Sequence, residues 1–179
     1  MTVTHDFKDS LARSHAYEDA PWWRDVYTQA FPSMAAMVST RDDGWAQRGG
    51  IDRVITLKSG RTLTIDEKVR EKDWPDVLLE RWSDRDKKIP GWVQKSLAID
   101  FIAYAYAESQ TCLLLPFQLL RRAWLQNGGE WMRMAREETN GYRVVEAENK
   151  TYTTVNIAVP RSDLLSAISG AMVITWPAA

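Results

Sequence analysis

The chain has 179 residues, 45% hydrophobic and 26% charged, with a net charge of −1. That balance fits a soluble globular protein with a substantial core and speaks against a nonspecific cationic coat for nucleic acid, leaving room for a local basic groove. A single cysteine, Cys112, and two histidines, His5 and His15, exclude a disulfide framework, a Cys-type zinc site and most zinc-hydrolase or Ser-His-Asp schemes.

The lone cysteine points to a reducing, cytoplasmic compartment. No secretion-signal pattern opens the sequence, and the apolar run Cys112 to Leu115 is far too short to cross a bilayer, so no membrane association is expected. The length suits a single domain over residues 1–179, with residues 1–48 as an N-terminal helical region.

Residues 4–30 are expected to be helical in one or two pieces. Leu11, His15 and Tyr17 share part of a face. Pro21 opens a second helix at Trp22, which Val26, Tyr27 and Phe31 continue and Pro32 ends. Residues 39–50 read as a polar, Gly-containing loop. Gln47 and Arg48 stand just ahead of Asp52 there, either as phosphate contacts or as plain surface.

The stretch Gly50 to Val69 reads as a β-hairpin. Its arms alternate Ile51, Arg53, Ile55, Leu57 and Leu63, Ile65, Glu67, Val69 on one face. Lys58-Ser59-Gly60 suits a three-residue loop with Gly60 in a left-handed G1-bulge position. That loop sets Leu57 opposite Arg61, Ile55 opposite Leu63 and Val54 opposite Thr64. Asp52 then falls opposite Asp66, with Lys68 one step along the same face; a two-residue loop would set apolar side chains against polar ones. Opposed aspartates destabilise a sheet unless something compensates them, and a divalent cation does so. A cation can activate water and neutralise a phosphoryl oxygen, and a neighbouring lysine can stabilise the developing charge. Alternatively, Asp66 and Lys68 are an ordinary salt-bridged strand face and Asp52 a solvated strand end. Glu67 falls on the apolar face, which requires either an exposed strand end or a partner.

After the hairpin, Arg70, Lys72 and the Trp74-Pro75 turn lead to a third strand, Val77 to Ser83. If that strand pairs with the second, Glu80 approaches Asp66 as an extra ligand or a water-orienting base. Pro90-Gly91 is a turn. Trp92 to Glu108 is either one helix or a short helix followed by a strand, and a hairpin turning at Glu108-Ser109-Gln110 into the strand Thr111 to Leu115 is preferred. Phe117 to Gln126 reads as an amphipathic helix stopped by Asn127-Gly128-Gly129, and Glu130 to Glu138 as a second one. Arg121, Arg122, Arg133 and Arg136 form the most basic surface that can be assembled, open to a phosphate backbone. Glu130, Glu137 and Glu138 equally suit a solvated helix. Tyr142 to Ala147 and Thr151 to Val159 form a second hairpin, and Ser162-Asp163 caps a last helix, Leu164 to Ser169. Of the nine tryptophans, Trp45, Trp74 and Trp92 lie in turns, where they either stack on bases or pack.

Asp52, followed after a hairpin by Asp66-Glu67-Lys68, resembles the PD-(D/E)XK nuclease superfamily, which includes restriction endonucleases and Holliday-junction resolvases. Ile51 stands where many members have proline. The resemblance covers about a tenth of the chain. It implies Asp52 and Asp66 as ligands of Mg²⁺ or Mn²⁺, the Glu67 carbonyl as a further ligand, and Lys68 as the catalytic lysine. It also implies an acidic residue on the preceding helix, for which Glu18 is the candidate, although Glu18 equally suits an N-terminal helix charge. The fold expected is α+β: a mixed sheet flanked by helices, with a restriction endonuclease-like αβββαβ core and extra strands. The function expected is phosphodiester hydrolysis in DNA, from a phage or mobile element, with Gln47, Arg48, Arg70, Arg121 and Arg122 on the nucleic acid and a homodimer natural for double-strand cutting. The alternatives are a nuclease fold kept as a silent binding module and an unrelated α+β protein.

Overall fold

The computed structural model describes residues 17, 19–40, 43, 44, 46 and 49–177. His5, Leu11, His15, Glu18, Trp45, Gln47 and Arg48 lie outside the described residues, as does most of the first predicted helix. In chain order the elements are α1 (Trp22–Ala30), β1 (Met34–Ser39), β2 (Arg53–Leu57), β3 (Thr62–Arg70), β4 (Asp76–Asp84), β5 (Ile89–Pro90) and β6 (Phe101–Tyr106). Then follow β7 (Thr111–Pro116), α2 (Phe117–Arg136), β8 (Arg143–Glu148), β9 (Thr153–Pro160), α3 (Arg161–Ala167) and β10 (Met172–Thr175). The fold is mixed α+β, in two compact units. One comprises the described parts of Ser14–Trp74, Leu97–Gln118 and Gly170–Ala179; the other contains Pro75–Ser96 and Leu119–Ser169. Among the described residues no helix is long and apolar enough to cross a membrane.

The first unit holds a six-stranded sheet in the order β1-β2-β3-β6-β7-β10. Only β3 and β6 run parallel; the other neighbours are antiparallel. Trp23, Val26 and Tyr27, at three- and four-residue spacing, form the buried stripe of α1. They pack with Ile55, Leu63, Ile65, Ala103 and Leu114 of the sheet. Trp22 stacks on Trp176 at 4.3 Å.

The predicted hairpin forms in the predicted register. Ile55 pairs with Leu63 and Val54 with Thr64. The Leu57 amide donates to the Arg61 carbonyl at 2.8 Å, and Gly60, at φ 85°, donates to the Leu57 carbonyl at 2.8 Å. A left-handed glycine closing a type I turn is the G1 bulge that the loop length called for. The β6–β7 hairpin also turns where expected, with Gln110 at φ 52°.

Two strands of this sheet were not expected. Residues 34–39, within the stretch read as N-terminal helix and loop, form β1 against β2. β10 pairs with β7 after the last helix. Met34-Ala-Ala-Met carries little β propensity, so pairing with β2 rather than local preference makes the strand. The α1 helix ends at Ala30, one residue short of the expected Phe31.

The second unit holds a four-stranded sheet, β5-β4-β9-β8. The pairing of the third strand with the second, the condition for Glu80 to reach Asp66, is not met: β4 pairs with β9 and β5, with Leu79 opposite Ile157. Alternation of side chains does not specify a partner, and a pairing this far apart in sequence is set by burial of Val77, Leu79, Ile157 and Val159. Gly91 lets the chain pass against β4. Its amide donates to the Arg81 carbonyl at 2.8 Å, and a Cβ there would fall inside the Glu80 carbonyl. Gly91→Ala is therefore expected to cost about 1–3 kcal/mol through forced displacement of backbone, measurable as a lower urea midpoint at unchanged slope.

The break expected at Asn127-Gly128-Gly129 does not occur: α2 runs unbroken to Arg136. Each glycine costs about 1 kcal/mol against alanine in a helix. Leu120, Ala123, Trp124, Trp131 and Ala135 are all buried and offset that cost, at about 1.5–3 kcal/mol for a large apolar side chain. Gly128 has a positive reason to be small, since a Cβ would stand 3.1 Å from the Trp124 ring. The last helix also starts earlier than expected. Pro160 occupies its N-cap, and Ser162 and Asp163 lie inside the first turn rather than capping it.

Candidate active site

Asp52 stands one residue before β2. Its amide donates to the Ile65 carbonyl at 2.9 Å, and its Oδ2 accepts the Glu67 amide at 2.8 Å. The Asp52 carbonyl in turn accepts the Thr40 amide at 3.0 Å, tying the strand start to the end of β1. On β3 alternation sends Leu63, Ile65 and Glu67 to the α1 face and Asp66 and Lys68 to the other. Lys68 Nζ lies 2.6 Å from Asp66 Oδ1, with the lysine side chain 32% exposed and the aspartate 5%. Asp66 is thus buried while its lysine opens to solvent.

Burial pushes the Asp66 carboxyl up to about 7; Lys68 pulls it down, and the neighbouring Asp52 carboxylate, within hydrogen-bonding reach, pushes it up again. This is the like-charge crowding expected of two opposed aspartates. Asp52, Asp66 and Lys68 are therefore brought together as the hairpin register required.

Glu67 has a partner, and it lies on the apolar face. Arg53 donates through Nε to Glu67 Oε1 at 2.9 Å and through an amino nitrogen to Oε2 at 3.0 Å. Tyr27, from α1, donates to Oε1 at 2.7 Å. Burial raises the Glu67 carboxyl, and the Arg53 and Tyr27 hydrogen bonds lower it. Burial, then Glu67, holds the Tyr27 hydroxyl well above its ordinary value. Arg53 and Tyr27 were not singled out from the sequence. A usable signal existed: a glutamate between Ile65 and Val69 demands a cation on its face, and Arg53 sits on that face of the adjacent arm.

The remaining candidates lie elsewhere. Glu80 belongs to the other sheet, where it accepts a hydrogen bond from Ser83 Oγ at 2.6 Å; the β3–β4 pairing that was to bring it to Asp66 is not formed. Arg70 lies over the Trp74 ring at 5.1 Å. On α2, Arg122 is exposed and Arg121 half-buried. Arg133 is held by Glu130 and Glu137, each at 2.6 Å, as in a solvated helix face. Trp92 is buried and Trp74 partly exposed.

Among the described residues no group of three or more histidine, cysteine, aspartate or glutamate side chains suits a metal. Mg²⁺ requires less, because it takes one or two carboxylates and keeps water elsewhere. Asp52 and Asp66 are the two carboxylates that could hold such an ion, and their mutual repulsion is of the kind a cation relieves. The Glu67 side chain does not join them, being engaged by Arg53 and Tyr27. No family model, curated protein or solved structure matches the chain.

Proposed function

We propose that the chain is a metal-dependent nuclease that hydrolyses phosphodiester bonds in DNA, with Mg²⁺ or Mn²⁺ as cofactor. The observation that carries this reading is the convergence of Asp52, Asp66 and Lys68 at one end of the β2–β3 hairpin. The element order supports it in part. A helix, α1, precedes the β1-β2-β3 meander, and β6 joins the same sheet beside β3. Between β3 and β6, however, an αβββαβ core would have a helix, and this chain has none.

Asp52 and Asp66 would hold the cation, with the Glu67 carbonyl completing the set. When bound, it supplies an activated water and charge neutralisation at a phosphoryl oxygen. Lys68 presents its ammonium beside Asp66 and stabilises negative charge as it develops. Arg53 and Tyr27 hold β3 from behind through Glu67, so that Asp66 and Lys68 project at fixed height.

A silent binding module is the second reading. What favours it is that Asp66 is already bonded to Lys68 and Asp52 to the Glu67 amide. The two are separated by incubating plasmid and branched DNA with Mg²⁺ or Mn²⁺, beside an EDTA control and Asp66→Ala. Cation-dependent cleavage that falls to background in the variant is expected. No cleavage, together with no cation binding by calorimetry, selects the silent module.

A further inference from the structure

In the second unit, α2 and the β4-β9-β8 sheet enclose a cleft of about 150 Å³. Three arginines line it: Arg81 from β4, Arg85 just beyond β4, and Arg136 from the last turn of α2. Its walls are otherwise apolar, with Trp82, Met132 and Val144. The one acid on its lining, Glu146, is taken by Arg85 at 2.9 Å. Among the described residues Arg81 has no carboxylate partner; its guanidinium donates to the Met132 sulfur and lies 5.3 Å from the Trp82 ring. Among the described residues Arg136 has no carboxylate partner either; it lines the cleft with Arg81, whose pKa burial lowers first and the Arg136 charge second.

Two unpaired guanidinium groups brought together in a cleft repel one another, and the repulsion grows where water is partly excluded. An anion with several acceptor oxygens reverses it, since guanidinium forks match phosphate oxygens. We infer that this cleft binds a phosphate group, held between Arg81 and Arg136 with Arg85 at its edge and the Trp82 and Val144 side chains beside whatever carries the phosphate. The inference does not depend on the hydrolytic reading of the Asp52–Asp66 hairpin, since it draws on none of those residues.

The test is calorimetric titration of the full chain with inorganic phosphate, adenosine 5′-monophosphate, adenosine and a 5′-phosphorylated dinucleotide. Saturable binding of phosphate is expected, with a dissociation constant on the order of 1 mM, as for a small exposed ion site. Arg136→Gln alters an exposed side chain and leaves the fold intact. It is expected to weaken binding about tenfold, the loss of one charge-assisted contact, and Arg81→Gln to do the same. Lys150→Gln, an equal loss of charge on an exposed residue of the same unit, is expected to change nothing. Glu146→Gln frees Arg85 and is expected to tighten binding about threefold, a gain that damaged packing does not produce. A mononucleotide that binds no tighter than phosphate assigns the cleft to the phosphate alone. A tighter mononucleotide adds the apolar wall, and a tighter dinucleotide identifies a nucleic-acid end. Adenosine binding as well as its monophosphate, binding undiminished in both arginine variants, or no saturable binding of any phosphate compound overturns the inference.

Discussion

Arg53→Ala is expected to lower stability by about 3–5 kcal/mol, the usual loss when one partner of a buried ion pair is removed. Arg53 and Glu67 are 6% and 3% exposed, so alanine leaves a carboxylate in the core with the Tyr27 hydroxyl as its remaining side-chain donor. Burial already raises the Glu67 carboxyl with Arg53 present. Without Arg53 it rises further, and the variant recovers part of its stability in acid, where Glu67 takes up a proton. Replacing both partners, Arg53→Met with Glu67→Leu, is expected to restore part of the loss, because a packed apolar pair carries no charge to desolvate while the buried Tyr27 hydroxyl is left without its acceptor. Urea unfolding of the single and double variants at pH 5 and pH 8 reads all of this. A loss below about 1 kcal/mol for Arg53→Ala would show that the pair does not hold β2 to β3.

Asp66 gives the second large effect. Its carboxyl, 3.8 in an ordinary setting, is pushed up to about 7, chiefly by burial, with Lys68 opposing and Asp52 adding. The folded chain therefore holds this proton more tightly than the unfolded chain does. The resulting stability is fully present below about pH 4 and is lost as pH rises through about 7, to a limit of about 4 kcal/mol. Asp66→Asn carries no titrating group, so the difference between the parent and Asp66→Asn isolates the effect. Urea midpoints from pH 4.5 to pH 8 are expected to diverge, the parent losing ground to the variant as pH rises. Parallel curves would mean that Asp66 ionises as readily folded as unfolded.

The parts of this structure legible in the sequence are those that short-range geometry determines. Loop length and the glycine at position 60 set the β2–β3 register, and with it the meeting of Asp52, Asp66 and Lys68. The turn at residues 108–110 was legible for the same reason. The parts that were not legible depend on distant partners. β4 alternates as a strand should, yet nothing in residues 76–84 says that β9 rather than β3 lies beside it, and Glu80 was misassigned with it. Gly128 and Gly129 signal a stop locally, but buried tryptophans on either side carry α2 through them. β1 and β10 are short, and Met34-Ala-Ala-Met has the composition of a helix. The Arg53–Glu67–Tyr27 group was half legible: the odd glutamate was visible, while the tyrosine arrives from a helix that only the fold brings near.

The interleaving of the sheet has a consequence for how the chain is made. β3 gains its parallel neighbour β6 only after the whole of β4 and β5 has been synthesised, and β10 adds the last edge from residues 172–175. Gln29 on α1 bonds the Thr175 carbonyl, and Trp22 waits for Trp176. A ribosome therefore presents α1 and the first hairpin with an unpaired β3 edge until residues 101–106 emerge, and with an uncovered tryptophan until residue 176 does. Such late, non-local closure slows folding and leaves the nascent chain open to edge-to-edge association. Yield on expression will therefore depend on slow synthesis, low temperature or a chaperone more than the stability of the finished fold would suggest.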